Sequence, residues 1–459
     1  MQAIHHLELV RKYNVPGPRY TSYPTVPYWS REGISLLDWK SSLLRSFQES
    51  NKQEGISIYI HLPFCESMCT FCGCHKHITK RHEEVEQPYI DALIQEWKLY
   101  VEIFGEKPKI KELHLGGGTP TFFAPERLQY LLQSIFDLSE IDESPVFSLE
   151  GHPNNTTKEH MQVLYNLGFR RISFGVQDYD LKVQQTINRI QPFEAVERVT
   201  NEAREIGYTS VGHDLVYGLP HQKLQGMMDT IEKTKQLNPD RIALYSYAHV
   251  PWIKGVGQRG FSEEDLPKDE EKRALYEASK SALLAMGYEE IGMDHFALPS
   301  DELAVSVREK NIHRNFMGYS SSKTQVMVGL GVSSISDSWY SFAQNTKSMK
   351  EYKNLLSQGI LPIVKGHLLN QEDLIIRQHI LNIMCHMETS WKNECMRFPE
   401  LEEVLSQLNE MLADNLLSIH EGGLKVHEEG KAFVRNICMA FDLRLKREKP
   451  TTRLFSQTI

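Results

Sequence analysis

Short apolar stretches alternate with longer amphipathic stretches from about residue 55 onward. Runs rich in β-forming residues occur at 56–60, 112–115, 146–149, 171–174, 210–217 and 241–247, and helical patterns occur between them at 89–104, 124–136, 158–167, 194–206 and 224–236. Six strand–helix alternations predict parallel βαβ units, with the chemistry at the C-terminal ends of the strands. We therefore predict an α/β fold, an open (β/α)6-type partial TIM barrel.

The segments on either side of this pattern differ from it. Residues 16–24 are rich in proline and glycine, so we predict no regular structure there. Beyond residue 366, helical patterns at 372–387 and 401–415 precede a hairpin at 416–426, which is typical of a mostly helical, winged-helix-like domain. The predicted division is an N-terminal arm or lid over 1–54, a catalytic barrel with its extension over 55–365, and a C-terminal domain over 366–459.

Composition and charge narrow the possible functions. Apolar residues make up 41% of the chain and charged residues 24%, as in a soluble globular protein. No apolar run is long enough to span a bilayer, and the N-terminus does not have the pattern of a signal peptide, so we expect a reducing, cytoplasmic location. The net charge of −9 argues against nucleic-acid binding, and an anionic substrate needs a local group of Arg and Lys residues.

Four of the seven cysteines fall within ten residues, at positions 65, 69, 72 and 74. Thiolates at such close spacing are typical ligands of an iron–sulfur cluster, and three of them leave one iron of a four-iron cluster open to another ligand. Disulfides are disfavoured by the odd cysteine count, and structural zinc is disfavoured because no second, well-separated Cys-x2-Cys pair exists. Cys74, two residues after Cys72, is poorly placed to complete the same cluster, and its role stays open at this point.

The Cys-x3-Cys-x2-Cys loop directly after an apolar strand resembles the radical S-adenosylmethionine (SAM) enzymes. The wider string Tyr-Ile-His-Leu-Pro-Phe-Cys at 59–65, with Cys-Gly-Cys at 72–74, resembles the oxygen-independent coproporphyrinogen III oxidases in particular. Gly-Pro-Arg-Tyr-Thr-Ser-Tyr-Pro at 17–24 is similar to the N-terminal segment of that family, which folds over the mouth of the active site. The resemblance extends from about residue 8 to the C-terminus.

This resemblance implies a set of site residues. Cys65, Cys69 and Cys72 would bind the [4Fe–4S] cluster, and together with Tyr59 and Glu150 they form the implied catalytic group. The family holds two SAM molecules, and the positions that match its SAM contacts are Tyr59, Phe71, Gly117, Gly118, Thr119, Glu150, Gln177, Arg189, Asp214, Ala248 and Ile335. Nearly all of them lie at or just after the end of a predicted strand, where a barrel of this type has its chemistry.

The implied reaction begins when the reduced cluster donates an electron to SAM, which yields methionine and a 5′-deoxyadenosyl radical. The radical takes a hydrogen atom from a propionate of coproporphyrinogen III, and loss of carbon dioxide and one electron leaves a vinyl group. Reaction at two propionates gives protoporphyrinogen IX in haem synthesis. The implied partners are an electron donor such as flavodoxin or ferredoxin and an unknown electron acceptor, with no nucleic acid, no membrane and a monomeric chain.

Two departures from the family pattern keep alternatives open. Gly-His-Pro follows Glu150 where Val-Asp-Pro is usual, and His213 precedes Asp214 where an apolar residue is usual. One alternative is a radical SAM enzyme that acts on another tetrapyrrole, and another is a haem chaperone that keeps the three-cysteine loop. Three further residues, His295, His313 and Arg314, are candidates for binding propionate groups.

Overall fold

The structure is a computed structural model that describes residues 2–30, 33–252, 257–258, 260–448 and 454–458. Its helices are α1 (Gln2–Tyr13), α2 (Leu36–Glu54), α3 (His82–Phe104), α4 (Pro125–Asp137), α5 (Lys158–Asn166), α6 (Leu181–Thr186), α7 (Phe193–Ile206), α8 (Leu224–Leu237), α9 (Asp269–Ala285), α10 (Glu302–Arg308), α11 (Met349–Ser357), α12 (Gln371–His386), α13 (Leu401–Gln407), α14 (Asn409–Ala413), α15 (Val434–Phe441) and α16 (Leu443–Arg447).

The strands are β1 (Ile56–Leu62), β2 (Phe64–Cys65), β3 (His77–Ile78), β4 (Lys109–Gly117), β5 (Glu140–Gly151), β6 (Arg171–Gln177), β7 (Ser210–Tyr217), β8 (Arg241–Ser246), β9 (Glu289–Gly292), β10 (His295–Ala297), β11 (His313–Asn315), β12 (Gly318–Ser320), β13 (Met327–Leu330), β14 (Ile335–Asp337), β15 (Ser341–Asn345), β16 (Ile363–Leu368), β17 (Glu388–Ser390), β18 (Leu417–His420) and β19 (Gly423–Val426).

One 12-stranded sheet forms the framework of the molecule, in the order β16-β15-β14-β13-β1-β4-β5-β6-β7-β8-β10-β9. The six predicted strands β1, β4, β5, β6, β7 and β8 are neighbours in sequence order and run parallel. Strand β13 adds a seventh parallel member beside β1, and antiparallel strands extend the sheet at both ends. The predicted α/β barrel is confirmed, with one parallel strand more than the six predicted.

The two faces of the parallel strands differ in polarity. In β1, Ile58 and Ile60 belong to the apolar core beneath the helices, whereas Tyr59 and His61 face the opposite side and hydrogen-bond to each other. Strands buried on both faces of a parallel sheet are usually apolar throughout. Here every second residue is polar, so the sheet encloses a polar interior and the hydrophobic core lies between its outer face and the helices.

The two ends of α6 position the segment that reaches the cysteine loop. Asp180 caps the N-terminus of α6, where its Oδ1 accepts from the backbone N–H groups of Lys182 and Val183 at 2.8 and 3.1 Å. Such a cap satisfies donors that the helix itself leaves unpaired. The chain leaves α6 through Asn188, which has a positive φ of 52°, and so directs Arg189 back toward the strand ends.

The C-terminal part contains the predicted hairpin as β18 and β19, and β17 adds a third strand that the sequence did not predict. Residues 16–24 form neither helix nor strand, as predicted, but α1 and α2 flank them and were not predicted. Tyr20 and Tyr23 are buried in one apolar cluster with residues of α12 and α15. Within the described part of the chain, no helix has the length and apolar character needed to cross a bilayer.

Candidate active site

The cysteine loop between β2 and β3 is held in place by hydrogen bonds to its backbone groups. The N–H of Thr79 donates to the carbonyl of Cys65 at 3.0 Å, and the N–H of Thr70 donates to the carbonyl of Ile187 at 2.9 Å. The amide of Asn188 donates to the carbonyl of Met68 at 2.8 Å. These contacts hold the loop against the segment that follows α6, at the C-terminal end of the parallel strands.

Three thiols of this loop line one cavity, which we call the cluster cavity. It is lined by Cys65, Cys69, Cys72, Gly118, Thr119 and Arg189 and has a volume of about 980 Å³. The Sγ of Cys65 lies 3.4 Å from the hydroxyl of Thr119, and Nη1 of Arg189 lies 3.8 Å from the Sγ of Cys69. Burial raises the pKa of Cys65, whereas a hydrogen bond from Cys74 lowers the pKa of Cys72.

This donor set fits an iron–sulfur cluster. In the described ranges, no three or more His, Cys, Asp or Glu side chains converge on a position for a single metal ion. A cluster is wider than one ion and binds each thiolate at a different iron atom, so its ligands stand around a cavity and not around a point. All seven cysteines are free thiols, and the guanidinium of Arg189 lies beside the loop, where it offsets negative charge on thiolates.

The glycine turn after β4 forms one wall of this cavity. The N–H of Gly118 donates to the carbonyl of Leu62 at 2.8 Å, and a Cβ at Gly118 would stand 2.7 Å from the carbonyl carbon of Pro63. Gly117 has a φ of +119°, which favours glycine. The turn therefore lies flat against the start of the cysteine loop and exposes backbone groups to the cavity.

Tyr59 and His61 form a directed hydrogen-bond chain. Nε2 of His61 lies 3.0 Å from the carbonyl of His75, and Nδ1 lies 3.0 Å from the hydroxyl of Tyr59. Burial lowers the pKa of His61 to about 4, so its ring is neutral at pH 7. A carbonyl only accepts, so Nε2 carries the proton and Tyr59 donates to Nδ1. The lone pairs of the Tyr59 oxygen stay available to a donor on a bound ligand.

Two carboxylates face the barrel interior, Glu150 near the end of β5 and Asp214 in the middle of β7. Glu150 accepts from the N–H of Gly117 at 3.2 Å, and its other oxygen lies 3.4 Å from Nε2 of His114. Asp214 accepts from the hydroxyl of Ser173 at 2.8 Å. Burial raises the pKa of Asp214 to about 7, so this carboxyl changes its charge near neutral pH.

The structure brings Phe71 and Ala248 together through a residue that the sequence did not single out. The amide of Gln258 donates to the carbonyls of both residues at 3.0 Å. Gln177 ends β6 with a positive φ of 69°. Ile335 begins β14, and its side chain packs in a cluster with Trp29 and with residues of β15 and α12.

A second cavity, which we call the barrel cavity, occupies the inside of the sheet and has a volume of about 850 Å³. It is lined by Glu112, His114, Glu150, Arg171, Asp214 and Arg241 among others. Sequence reasoning did not single out Glu112, Arg171 or Arg241. The signal was present, because polar residues recur on one face of β4, β6 and β8, which is unusual for parallel strands.

The histidines singled out in the sequence occupy different surroundings. His152 lines the cluster cavity, where burial and then Arg189 lower its pKa to about 3. His213 turns toward α7, where its Nε2 lies 3.0 Å from the hydroxyl of Thr200. His295 lines the barrel cavity, whereas His313 lines a separate cavity beside α12. Arg314 stacks over the ring of Tyr319, 4.5 Å from its centroid.

The parallel sheet and the three-cysteine loop define a radical SAM protein, and the model of the Radical SAM superfamily matches residues 59–234. An oxygen-independent coproporphyrinogen III oxidase of Synechocystis is 38% identical over 98% of this chain and 97% of its own. One from Escherichia coli K12 is 36% identical over 99% of this chain and 98% of its own. The chain belongs to the family of oxygen-independent coproporphyrinogen III oxidases.

A solved structure agrees with this assignment over nearly the whole chain. The coproporphyrinogen III oxidase of Escherichia coli, described as a radical SAM enzyme, superposes with a TM-score of 0.87 and 33% sequence identity. The match covers 95% of this chain and 98% of that one. The similarity therefore includes the N-terminal and C-terminal parts as well as the barrel.

Proposed function

We propose that this chain catalyses the oxygen-independent oxidative decarboxylation of coproporphyrinogen III to protoporphyrinogen IX in haem synthesis. Two propionate side chains become vinyl groups, and each loses one carbon dioxide molecule, one hydrogen atom and one further electron. The observation that carries the proposal is the group of three thiols, Cys65, Cys69 and Cys72, which line one cavity at the strand ends of this family's fold. Neither the haem chaperone nor an enzyme acting on another tetrapyrrole is favoured by the similarity over the full length.

The enzyme uses a [4Fe–4S] cluster and SAM, which together supply a 5′-deoxyadenosyl radical that takes a hydrogen atom from the substrate. In our proposal, Cys65, Cys69 and Cys72 are the cluster ligands, and Cys74 is not one. Arg189, at 3.8 Å from the Sγ of Cys69, balances the charge of the thiolates. The glycines at 117 and 118 let the turn pack closely against His61 and Pro63, and in our proposal the backbone of this turn contacts SAM.

Tyr59 and Glu150 hold the ammonium end of SAM in this proposal. The hydroxyl of Tyr59 already donates to His61, so it presents only lone pairs to a bound ammonium group. Glu150 supplies a carboxylate fixed by the backbone N–H of Gly117. Thr119, beside Cys65, completes the group around the first SAM molecule.

A second SAM molecule is part of the same proposal. Its contacts are drawn from the remaining matched positions, Phe71, Gln177, Arg189, Asp214, Ala248 and Ile335. Support comes from Gln258, which joins the carbonyls of Phe71 and Ala248 and so holds the cysteine loop against the end of β8.

The N-terminal arm, residues 1–54, acts as a lid over the barrel of residues 55–365 and is held by the C-terminal domain of residues 366–459 in this proposal. Arg435 of α15 donates to the carbonyls of Gly17 and Pro18. Trp29 stacks on Phe342, with 5.3 Å between the ring centroids, in the cluster that contains Ile335. A closed lid limits the access of water and oxygen to radical chemistry.

The partners are proposals of the same kind. An electron donor such as flavodoxin or ferredoxin reduces the cluster, and a separate acceptor takes the electron that the substrate gives up. Seven free thiols suit the reducing cytoplasm. The net charge of −9 is unfavourable for binding to nucleic acid, and we expect a monomer that works away from membranes.

The direct test is an anaerobic assay with reconstituted protein, SAM, a reductant, an electron acceptor and coproporphyrinogen III, followed by mass spectrometry. We expect the stepwise loss of two carboxyl groups together with formation of 5′-deoxyadenosine. Formation of 5′-deoxyadenosine without decarboxylation would instead indicate another tetrapyrrole substrate. Retention of haem without either product would indicate the chaperone.

A further inference from the structure

The barrel cavity contains an arginine, Arg171, that forms no ion pair within the described residues, although Glu302, Glu112 and Asp301 act on its charge from a distance. Arg171 is the first residue of β6, and its side chain points into the sheet interior on the same face as Ser173. Nη1 of Arg171 is buried and has no hydrogen-bond partner in the described part of the chain. Among the same residues, no carboxylate forms an ion pair with it. A buried cation without a partner is costly, so its presence requires an explanation.

A second guanidinium in the same cavity is only partly satisfied. Nε of Arg241, the first residue of β8, donates to Asp301 at 2.7 Å, whereas its buried Nη2 has no partner among the described residues. Strand β7 lies between β6 and β8, and Arg171 pairs in register with Ser210 and Arg241 with Gly212. The two guanidinium groups therefore face the same space. Burial and then Arg241 lower the pKa of Arg171 to about 10, which still leaves it a cation at neutral pH.

The carboxylates of this region are already engaged elsewhere. Glu112 accepts from the hydroxyls of Ser57 at 2.8 Å and Ser320 at 2.6 Å. Asp301 accepts from Ser210 at 2.7 Å in addition to Arg241. The unsatisfied guanidinium nitrogens, Nη1 of Arg171 and Nη2 of Arg241, are thus both donors on cations within the described ranges. Such a set fits a carboxylate, which only accepts hydrogen bonds and which a guanidinium can bind through two of them.

We propose that Arg171 and Arg241 bind a propionate carboxylate of the substrate that is not decarboxylated. This inference rests on the proposed function, since coproporphyrinogen III carries four propionates and only two of them react. The same cavity is lined by Glu150 and Asp214, so a porphyrinogen anchored on the arginines extends toward the SAM-binding wall. Arg171 is a binding residue that sets the orientation of the ring, and it takes no part in the chemical step.

The first test measures the binding of coproporphyrin III, the fluorescent oxidised form of the substrate, to anaerobically reconstituted holoenzyme. Arg171→Met is expected to raise the dissociation constant about 10- to 100-fold, because it removes hydrogen bonds to a charged group. Arg171→Lys should keep only part of the affinity, because lysine has the positive charge but not the planar pair of N–H donors of a guanidinium group. Arg170→Gln is the matched control, since the guanidinium of Arg170 stacks over Tyr165, 3.8 Å from its ring centroid, and should change affinity less than twofold.

The second test uses thermal unfolding with sodium propionate as the probe. Without ligand, Arg171→Met should unfold at the same or a higher temperature than the wild type, because a buried unpaired charge has been removed. Propionate should raise the unfolding temperature of the wild type and leave that of Arg171→Met nearly unchanged. A purely structural role for Arg171 predicts the opposite, a lower unfolding temperature and an equal response to propionate.

The outcomes separate the two proposals. Equal affinity of the wild type and Arg171→Met for coproporphyrin III overturns the carboxylate site and leaves the oxidase proposal intact. If propionate distinguishes the two proteins but the anaerobic assay of the wild type gives no decarboxylation of coproporphyrinogen III, the carboxylate site stands and the oxidase proposal fails.

Discussion

The structure contains two cavities of similar volume whose charges are arranged in opposite ways. The barrel cavity measures about 850 Å³, and the other, which we call the outer cavity, measures about 1100 Å³. The outer cavity is lined by Arg19, Glu290, Asp294, Lys310, Cys385 and Arg435 among others, and it lies between the arm, the β9–β10 hairpin and the C-terminal helices.

Charged groups of the outer cavity are paired with one another or with neighbours. Arg19 contacts Asp294, Lys280 lies 2.8 Å from Glu290, and Lys310 contacts Glu388. Arg435 donates to carbonyls of the arm and of the C-terminal tail. These contacts join segments of the protein and leave little charge for a ligand. The barrel cavity, in contrast, contains two guanidinium nitrogens, on Arg171 and Arg241, that have no partner in the described part of the chain. Unpaired polar groups therefore mark the site better than cavity size does.

The largest expected difference is between the cysteines of the cluster cavity, at the strand ends of the barrel, and a cysteine of the outer cavity. Replacing Cys65, Cys69 or Cys72 with Ala should abolish both the iron–sulfur absorbance and the activity, because each removes a cluster ligand. Cys74→Ala should keep the cluster. Cys385→Ala is the control from the outer cavity, where burial raises the pKa of the thiol to about 12, and it should keep the cluster too. Equal loss of iron in all five variants would contradict the three-ligand assignment.

The next largest difference concerns two glutamates. Glu150→Gln should lower kcat/KM for the decarboxylation about 100-fold or more, because it removes the charge that we place beside SAM. Glu290→Gln, in the outer cavity, loses only its ion pair with Lys280, and its kcat/KM should stay within about threefold of the wild-type value. Steady-state kinetics under anaerobic conditions measure both. Similar losses in the two variants would remove the functional distinction between the cavities.

A smaller effect is expected in the pH dependence of stability. The pKa of Asp214 is raised to about 7, above its value in an unfolded chain, so the folded state binds the extra proton between these two values. The contribution of Asp214 to the free energy of unfolding therefore falls as the pH rises toward 7. Asp214→Asn should remove this pH-dependent decrease. In denaturant titrations of the cofactor-free protein, the free energy of unfolding of the variant, relative to that of the wild type, should rise by on the order of 2 kcal/mol from pH 5 to pH 8. A constant difference across this range would contradict the raised pKa.

The smallest effect is expected at the contact between the arm and the barrel edge. Asp294→Asn should lower the free energy of unfolding by about 1 kcal/mol, because it removes a partly exposed ion pair with Arg19. Activity should stay within about twofold of the wild type, because the pair lies outside the barrel cavity. A large loss of activity with normal stability would instead give the outer cavity a functional role.

Much of the fold follows from local patterns in the sequence. The alternation of strand and helix from residue 55 to 247 depends on short-range periodicity, and all six parallel strands lie where the pattern predicts them. Helices α1 and α2 were missed because the proline- and glycine-rich segment between them dominated the interpretation of the arm. Strand β13 was missed as a parallel neighbour of β1, because this pairing joins residues about 270 positions apart and has no local signal.

The site was predictable to the extent that its chemistry is concentrated in motifs. The cysteine loop and the glycine turn were both singled out, and they form two walls of one cavity. Arg171 and Arg241 lie in no motif, since each is simply the first residue of a strand. Their proximity comes from strand order and register. That Nη1 of Arg171 and Nη2 of Arg241 have no partner among the described residues is visible only in three dimensions.

The most direct test of the central claim, that the barrel encloses a reaction between a SAM-derived radical and a propionate, is an isotope-transfer measurement. Coproporphyrinogen III carrying deuterium on the propionate carbons next to the ring is incubated anaerobically with the reconstituted enzyme and SAM. We predict that deuterium appears in 5′-deoxyadenosine as vinyl groups form, and that Glu150→Gln lowers both products together. Vinyl formation with unlabelled 5′-deoxyadenosine would contradict the account.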